Sequence, residues 1–549
     1  MANRIVTRRS FILLLALVQA LAGASAQVSH EPKPAPQAET LDSLRARILT
    51  HISQTRFAPA AWGVKVESLD SGKVIFEHNA QKYFSPASNA KLYTAALALD
   101  RLGLDYRIKT SLYARSRPDA AGALKGDLII YGRGDPLITA RLNGFDYYKA
   151  LEPLADQLAS AGVRRIEGDL IGDESYFKGP PVGAGWEWDD LQEYYGAEVS
   201  ALTVNDNSLD LFVKPAERPG IPCRVTTGPV TSFVTIINRT QTAPKGSEPR
   251  VIVYRPLGEN IVYVSGRLPL DHKGHVESIA VHNPAGLFIN LFKDVLARRG
   301  IVVTGRLRTV DWKYREVTPV DLTKLVELGS HQSATMKDMV REMLKPSQNL
   351  YAQLLLLQVG ASQGPGAGAR GPEVSSNQKG SSSSMADPSR PQAVTSQTPE
   401  PNLTTEELGV EAMNDFLSRA GVKKGDVLLE EGSGLSRRDV ITPNATIALL
   451  GFMSRHQLAD VYISSLPVAA VDGTLQNRMK GTAAAGNVRA KTGTLRYVYT
   501  LSGYLTTAAG ERLVFSIMLN NYYNSDRTIP ARDDLDAIAI MLANFSGRS

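Results

Sequence analysis

The sequence lacks several features by which common protein classes are recognised. Its 549 residues include one cysteine, Cys223, which has no partner for an internal disulfide and no neighbouring histidine. We therefore predict a small buried or semi-buried residue there rather than a catalytic or metal-binding thiol. The eight histidines are scattered and form no H-E-x-x-H motif, so we expect neither a metal site nor another cofactor. The formal net charge is only +6, with basic and acidic residues interleaved, which gives no indication of a nucleic-acid partner.

Long apolar runs are absent after the N-terminal residues. No later run approaches the ~18 apolar residues of a transmembrane helix. Residues 1–26 join three arginines, the apolar stretch FILLLALVQALA and the small residues Ala-Ser-Ala, which predicts a secretory signal peptide. The stretch TRRSFIL also resembles a twin-arginine signal, so the export route stays open, as does an uncleaved membrane anchor. Residues 27–40 are proline-rich and polar, which predicts a flexible leader.

The rest of the chain divides by sequence pattern into three parts. Residues 41–109 show helical spacing, then β-alternation about an Asp-Ser-Gly turn, then a second helical stretch. Residues 110–279 contain short β-like runs separated by turn residues, which predicts inserted β-rich domains. Residues 280–549 mix helix and strand patterns, and within them residues 361–404 have the composition of a disordered loop.

A serine–lysine pair opens the second helical stretch. Ser88 stands three residues before Lys91 in SPASNAKLYTAAL, which places both side chains on one helix face, one turn apart. Alone, this pattern is more typical of a helix-capping serine. A serine hydroxyl becomes a strong nucleophile when a base takes its proton, and a lysine becomes such a base when desolvation or a second cation lowers its pKa.

Two later triplets supply groups that can complete such a site. Ser347–Asn349 provides a hydroxyl and an amide, and Pro346 indicates that this triplet opens a new helix. Lys491–Gly493, at the start of a β-pattern, provides a second ammonium, a hydroxyl and a glycine beside which a substrate can approach the backbone. The motifs S-x-x-K, S-D-N and K-T-G together are typical of penicillin-binding proteins and class A β-lactamases. Here they occur in that order, with glutamine in the middle of the second motif.

Flanking stretches narrow the resemblance to one family. The chain resembles the D-alanyl-D-alanine carboxypeptidase/endopeptidases, the class C low-molecular-mass penicillin-binding proteins, in GDLIIYGRGDPLIT, WEWDDLQEYYGAEVSALTVNDNSL, EGSGLSRRDVITP, VDGTLQNRMKGT and AKTGTLRYVYTLSGYL. The resemblance covers nearly all of residues 41–545 and includes the long gap between Ser88 and Ser347, which inserted domains fill in that family. It implies an α+β fold: an antiparallel sheet flanked by helices, a helical subdomain, and mostly β inserts. Glu431 stands where the family usually has aspartate, and we expect this change to be tolerated.

The resemblance also implies an activity. The chain would be a penicillin-sensitive serine D,D-peptidase that acts on peptidoglycan stem peptides through an acyl-serine intermediate, and β-lactams would be its covalent inhibitors. Ser88 would attack the carbonyl between two D-alanines, Lys91 would take its proton, and Ser347 would relay that proton to the leaving amine. Asn349 would bind the acyl-side amide and help to hold Lys91. Lys491 would tune the electrostatic potential of the site.

Substrate-binding roles are implied for further residues. The Thr492 and Thr494 hydroxyls would bind the terminal carboxylate, and the backbone N–H groups of Ser88 and Thr494 would form the oxyanion hole. The residues implied for the pocket of the peptide's diamino-acid side chain are Arg437, Asp190 and Tyr195. We expect the exported protein to act in the periplasm, with at most a peripheral association with membrane or wall.

Three other functions stay open at this point. A β-lactamase would use the same nucleophile, but it needs a carboxylate-activated water for fast deacylation, and we find no clear E-x-x-L-N element. A catalytically silent penicillin- or wall-binding protein would have no need of the intact set Ser88, Lys91, Ser347 and Lys491. An esterase or D-aminopeptidase of the same fold is the third alternative.

Overall fold

The computed structural model describes residues 38–363, 403–523 and 530–549. The predicted signal peptide, most of the predicted leader and nearly all of the predicted 361–404 loop lie outside these residues. Thr40–Ser549 make up one compact unit. Within the described ranges, no helix has both the length and the hydropathy that crossing a membrane requires.

Eleven α-helices and twenty-one strands occur in the described residues. The helices are α1 Leu41–Ile52, α2 Ala90–Leu102, α3 Glu152–Ser160, α4 Pro284–Arg298, α5 Trp312–Val317, α6 Met336–Leu344, α7 Asn349–Gln363, α8 Thr405–Arg419, α9 Pro443–Met453, α10 Ala459–Ser464 and α11 Arg532–Asn544. The strands are β1 Ala61–Ser68, β2 Val74–His78, β3 Lys109–Ala114, β4 Ala123–Leu124, β5 Leu128–Tyr131, β6 Arg165–Ile166, β7 Leu170–Asp173, β8 Ser208–Lys214, β9 Arg224–Gly228, β10 Thr235–Ala243, β11 Arg250–Tyr254, β12 Ile261–Pro269, β13 His275–Ala280, β14 Val302–Val303, β15 Leu307–Val310, β16 Val326–Gln332, β17 Val427–Leu428, β18 Val440–Ile441, β19 Arg489–Leu495, β20 Val498–Thr506 and β21 Arg512–Asn520.

A five-stranded antiparallel sheet joins the two ends of the unit, with strand order β19-β20-β21-β1-β2. It contains the predicted β1–β2 hairpin and the predicted β19–β20 pair. Ile48 of α1 and Ile538 of α11 share a buried core with Phe515 of β21, so these two helices cover one face. Strand β21 is buried almost throughout, as expected for a central strand with both faces covered.

A helical subdomain packs beside this sheet. Helices α2, α6, α7, α8 and α9 bury their apolar side chains in one core. Helix α2 ends at Gly103, whose φ of 77° and N–H bond to the Leu99 carbonyl form a glycine stop. The break at Pro346 separates α6 from α7, as predicted. The α+β architecture predicted from the sequence, a helix-flanked antiparallel sheet with a helical subdomain, is confirmed.

The inserted region has its own core and four sheets. These sheets have the orders β15-β7-β5-β3-β16, β10-β12-β11, β13-β8-β9 and β14-β6-β4. Cys223 is buried in this core at 2% exposure, as predicted. Strand pairing continues past the predicted end at residue 279, because β15 pairs with β7 and β16 pairs with β3. Strands beyond residue 279 thus share sheets with strands of the region predicted as an insert, whose boundaries stay a prediction.

Candidate active site

Three separate parts of the fold meet at one cleft of about 580 Å³. They are the turn before α2 with Ser88, the α6–α7 junction with Ser347 and Asn349, and strand β19 with Thr492 and Thr494. Other residues that line the cleft are Glu187, Asp189, Asp190, Tyr194, Tyr195, Arg437, Thr474 and Arg496. The structure thus brings together residues that lie more than four hundred positions apart in the sequence.

Ser88 lies in a short 3₁₀ turn, Ala87–Asn89, that runs directly into α2. It therefore faces the positive end of the helix dipole. Two glycines allow other elements to approach this turn. A Cβ on Gly493 would lie 2.8 Å from the Pro86 carbonyl oxygen, and a Cβ on Gly434 would lie 1.9 Å from that of Ala87. The glycine of K-T-G thus allows strand β19 to pack closely against the turn that carries Ser88.

The Lys91 side chain makes three polar contacts at its amine. Its Nζ lies 2.8 Å from Ser88 Oγ, 2.5 Å from Asn349 Oδ1 and 2.7 Å from the Ser433 carbonyl oxygen. The amide oxygen and the carbonyl oxygen can only accept hydrogen bonds, whereas the Ser88 hydroxyl can also donate one. A neutral amine has two N–H groups and one lone pair. It fits this environment by donating to Asn349 and Ser433 and accepting from Ser88.

Burial favours that neutral form. Lys91 has no solvent exposure. Desolvation lowers the pKa of Lys91 from its usual value of about 10.5 to about 7, although the nearby Glu431 carboxylate partly opposes this shift. A substantial fraction of Lys91 is thus unprotonated at neutral pH. The pair therefore has the geometry and the proton affinity for transfer of the serine proton to the lysine.

A second lysine–serine pair, Lys491 with Ser347, belongs to the same site. Lys491 Nζ donates to Ser347 Oγ at 2.7 Å and to the Thr492 carbonyl at 2.8 Å. Burial lowers the pKa of Lys491 well below its usual range, and the charge of Lys91 lowers it further. Ser347 adopts a left-handed φ of 68° in the short link between α6 and α7. This conformation is uncommon for a serine and indicates that its position is strongly constrained.

Asn349 connects the Lys91 amine to the backbone of Tyr195 in the cleft lining. Its Oδ1 accepts from Lys91, and its Nδ2 donates to the Tyr195 carbonyl at 2.9 Å. The Tyr195 hydroxyl in turn donates to Asp190 Oδ1 at 3.2 Å. Partial burial raises the pKa of Asp190, and acidic neighbours raise it further. Both sequence-predicted residues of the WEWDDLQEYYG stretch thus lie in the cleft lining.

Arg437 lines the cleft and bonds to two separate segments of the chain. Its Nε donates to Glu187 Oε2 at 3.1 Å, and its Nη1 donates to the Arg496 carbonyl at 3.2 Å. The guanidinium remains partly exposed. Arg437 thus links the segment that contains Glu187 to the turn between β19 and β20.

Glu431 holds the turn that contacts Lys91, a role that the sequence did not reveal. Its side chain is buried, and its carboxylate accepts hydrogen bonds from a series of backbone N–H groups in the turn that follows. The donors are Ser433, Gly434, Leu435 and Ser436. This turn presents the Ser433 carbonyl to Lys91. A glutamate at this position thus reaches the backbone N–H groups of its own turn.

A buried carboxyl group accompanies Glu431. Asp439 has no solvent exposure, and burial together with the Glu431 charge raises its pKa well above the usual range. Its Oδ1 accepts from the Glu430 N–H at 2.9 Å. Burial beside Glu431 thus favours the protonated form of the Asp439 carboxyl.

Replacing Glu431 by alanine should destabilise the protein. The change leaves several buried N–H groups without an acceptor, so we expect the free energy of unfolding to fall by about 3 kcal/mol. The matched control is Glu431→Asp, which keeps the carboxylate and should retain most of that stability. Chemical denaturation of both variants measures the effect. Equal losses in the two variants, or no loss in the alanine variant, would contradict this role.

One serine contacts a buried lysine of lowered pKa, and a second lysine–serine pair lies in the same site. This combination defines the class of active-site-serine acyl-transfer enzymes that includes the penicillin-binding proteins and serine β-lactamases. Comparison with known proteins narrows this class. The model of the D-Ala-D-Ala carboxypeptidase 3 (S13) family matches residues 44–379 and 392–544. The chain belongs to this family. Membership confirms the predicted enzyme class, a serine-type D-Ala-D-Ala peptidase of peptidoglycan.

Individual relatives agree with the family. The chain is 32% identical over 522 residues to a D-alanyl-D-alanine carboxypeptidase of Actinomadura sp. (strain R39), covering 92% of this chain and 86% of that protein. It is 24% identical to the D-alanyl-D-alanine carboxypeptidase DacB of Haemophilus influenzae, covering 84% and 86%. The crystal structure of penicillin binding protein 4 from Haemophilus influenzae shares the fold, with a TM-score of 0.70, 23% identity and coverage of 91% and 97%.

Proposed function

We propose that Ser88 is the nucleophile and Lys91 the base of this D,D-peptidase. The observation that supports these roles most strongly is the environment of the Lys91 amine. Two of its three polar neighbours can only accept, so the lone pair of a neutral amine is left for the Ser88 hydroxyl. Lys91 takes the hydroxyl proton while Ser88 Oγ bonds to the carbonyl carbon between the two D-alanines.

The charge that develops on that carbonyl oxygen is stabilised by two backbone N–H groups, those of Ser88 and Thr494. Ser347, held by Lys491, relays the proton that Lys91 has taken: its Oγ donates a proton to the departing D-alanine nitrogen and receives the one from Lys91, which leaves Lys91 neutral again. Release of D-alanine leaves an ester between Ser88 and the penultimate D-alanine. Water then attacks this ester, with Lys91 again as base, and regenerates Ser88.

Substrate binding uses both walls of the cleft. Thr492 and Thr494 hold the terminal carboxylate beside the Lys491 ammonium, and Asn349 binds the amide on the acyl side. The residues of the other wall, Asp190, Tyr195 and Arg437, offer an acid, a phenol and a cation. Such a mixture suits the zwitterionic end of a diamino-acid side chain. We therefore propose that cross-linked peptides are substrates as well as free pentapeptides.

We further propose that residues 1–26 direct export and that the protein acts in the periplasm on the wall. We also propose that β-lactams acylate Ser88, since they present a strained amide and a carboxylate to the same groups. A second crystal structure of the Haemophilus penicillin binding protein 4, solved with a β-lactam, supports this; it matches the chain with a TM-score of 0.66 and 22% identity.

The experiment that tests the function is a product assay with the chain from residue 27 onward. Purified protein is incubated with an acylated D-Ala-D-Ala peptide and, separately, with cross-linked muropeptide dimers. We expect D-alanine release from the first, cleavage of the second, and inhibition of both by benzylpenicillin with a persistent protein adduct. Rapid penicillin hydrolysis would identify a β-lactamase instead. An adduct without any peptide cleavage would identify a penicillin-binding protein that is silent towards the wall.

A further inference from the structure

Thr474 enters the active-site cleft on a loop that the proposed mechanism does not use. The loop belongs to the VDGTLQNRMKGT stretch and lies between α10 and β19. Gly473 allows its close approach: it has a φ of 56°, and a Cβ there would lie 2.6 Å from the Lys345 carbonyl oxygen. The Thr474 N–H donates to that same carbonyl at 3.1 Å. Thr474 therefore lies directly against the backbone that leads to Ser347.

The same lysine also fastens the rest of the loop. Lys345 Nζ donates to Asp472 Oδ2 at 2.6 Å and to the Leu466 carbonyl at 2.7 Å. Asp472 Oδ1 accepts from the Val468 N–H at 2.9 Å, which closes the loop on itself. The position of Thr474 is thus fixed by contacts to the element that presents Ser347, before any substrate is bound. Such fixed donors orient a ligand at little cost in conformational entropy.

The Thr474 side chain is joined to the K-T-G strand. Thr492 Oγ1 donates to Thr474 Oγ1 at 2.8 Å. A hydroxyl has one proton to donate, so in this arrangement the Thr492 proton lies on the Thr474 oxygen and the Thr474 proton remains available to a ligand. Both hydroxyls line the cleft, and Thr492 follows directly on the buried Lys491. An anionic group that enters beside Lys491 therefore meets the Thr474 hydroxyl as well.

We propose that the Thr474 hydroxyl donates a hydrogen bond to the terminal carboxylate of the substrate and is a specificity-determining residue for that carboxylate. This inference rests on the proposed function, in which Thr492 and Thr494 hold the same group. Because the Thr492 proton is donated to Thr474, the Thr492 hydroxyl acts on the carboxylate through the Thr474 hydroxyl. The fastened loop adds a third hydroxyl, from outside the three motifs, on the side of Ser347. Peptides or β-lactams with a free carboxylate are then selected over analogues in which it is blocked.

Benzylpenicillin and benzylpenicillin methyl ester test this role, because they differ only at the carboxylate. Second-order rate constants of acylation are measured for the wild type, Thr474→Val and Thr474→Ser. Hydrogen bonds to charged groups contribute enough for a loss of about 10- to 100-fold in the valine variant with benzylpenicillin. With the methyl ester, the wild type and the valine variant should react at the same rate. Thr474→Ser, which keeps a hydroxyl, should recover most of the rate with benzylpenicillin.

Each other outcome has a distinct meaning. Equal slowing of both compounds by Thr474→Val would overturn the proposal, because the residue would then position the site in general rather than bind the carboxylate. An unchanged rate with benzylpenicillin would also overturn it. Failure of the proposed function looks different, since the wild type itself would then form no adduct with either compound. Thermal unfolding of the valine variant, expected to match the wild type, checks that the loop still folds.

Discussion

Replacing Ser88 by alanine should abolish D-alanine release and covalent labelling by benzylpenicillin. The change removes the only oxygen in contact with Lys91 that can form an ester, since the other two contacts are an amide oxygen and a backbone carbonyl. Intact mass after incubation with benzylpenicillin measures labelling directly. We expect a stable mass increase in the wild type and none in the variant, at any time of incubation.

The matched control is Ser464→Ala, which removes an exposed serine whose hydroxyl only donates to the Val461 carbonyl of its own helix. This variant should be labelled as fast as the wild type. Labelling of the Ser88 variant at another residue would show that the nucleophile has been assigned wrongly. Persistent D-alanine release without labelling would show that the peptidase reaction does not proceed through this serine.

Replacing Lys91 by methionine should slow acylation by about 10³-fold, within the usual range for loss of a general base. Methionine is similar in length and suits a buried position, but it cannot accept the Ser88 proton. Lys91→Arg distinguishes loss of the base from loss of the positive charge. Arginine keeps the charge, but its guanidinium is not deprotonated in proteins and therefore cannot act as a base. We expect acylation to be slowed to a similar degree in both variants.

Stopped-flow or quenched-flow measurement of benzylpenicillin acylation gives the rates for both Lys91 variants. An arginine variant close to the wild type would contradict the base role and would indicate that positive charge alone is needed. A methionine variant within a few-fold of the wild type would mean that another group takes the proton. Far-ultraviolet circular dichroism and thermal unfolding establish that each variant is folded before rates are compared.

Local sequence was sufficient to predict the elements that carry the site. The α2 helix after Ser88, the break at Pro346 and the β19–β20 pair each depend on short-range patterns: apolar spacing, a proline and β-alternation. The family resemblance then supplied the way in which these elements assemble. The structure brings the three motifs into contact as that assembly requires.

The residues that hold or flank the three motifs could not be predicted from local sequence pattern. Glu431 acts through backbone N–H groups of its own turn, and Asp439 is buried near it. Neither feature has a periodic signal in the sequence. Thr474 reaches the cleft because Lys345, about 130 positions earlier, fastens its loop. Long-range strand pairing also escaped local reasoning, because β16 pairs with β3 across more than two hundred residues.

The central claim is that Lys91 is a neutral base for Ser88 near pH 7, and the pH dependence of benzylpenicillin acylation tests it most directly. Only unprotonated Lys91 can take the proton, and its pKa is about 7. The second-order rate constant should therefore rise about tenfold per pH unit well below 7 and level off above about pH 8. Because the charges of Lys91 and Lys491 interact, the midpoint of this pH profile reports the titration of the two lysines together. A rate constant that is flat from pH 5 to 9, or that rises only towards pH 10, would contradict the claim.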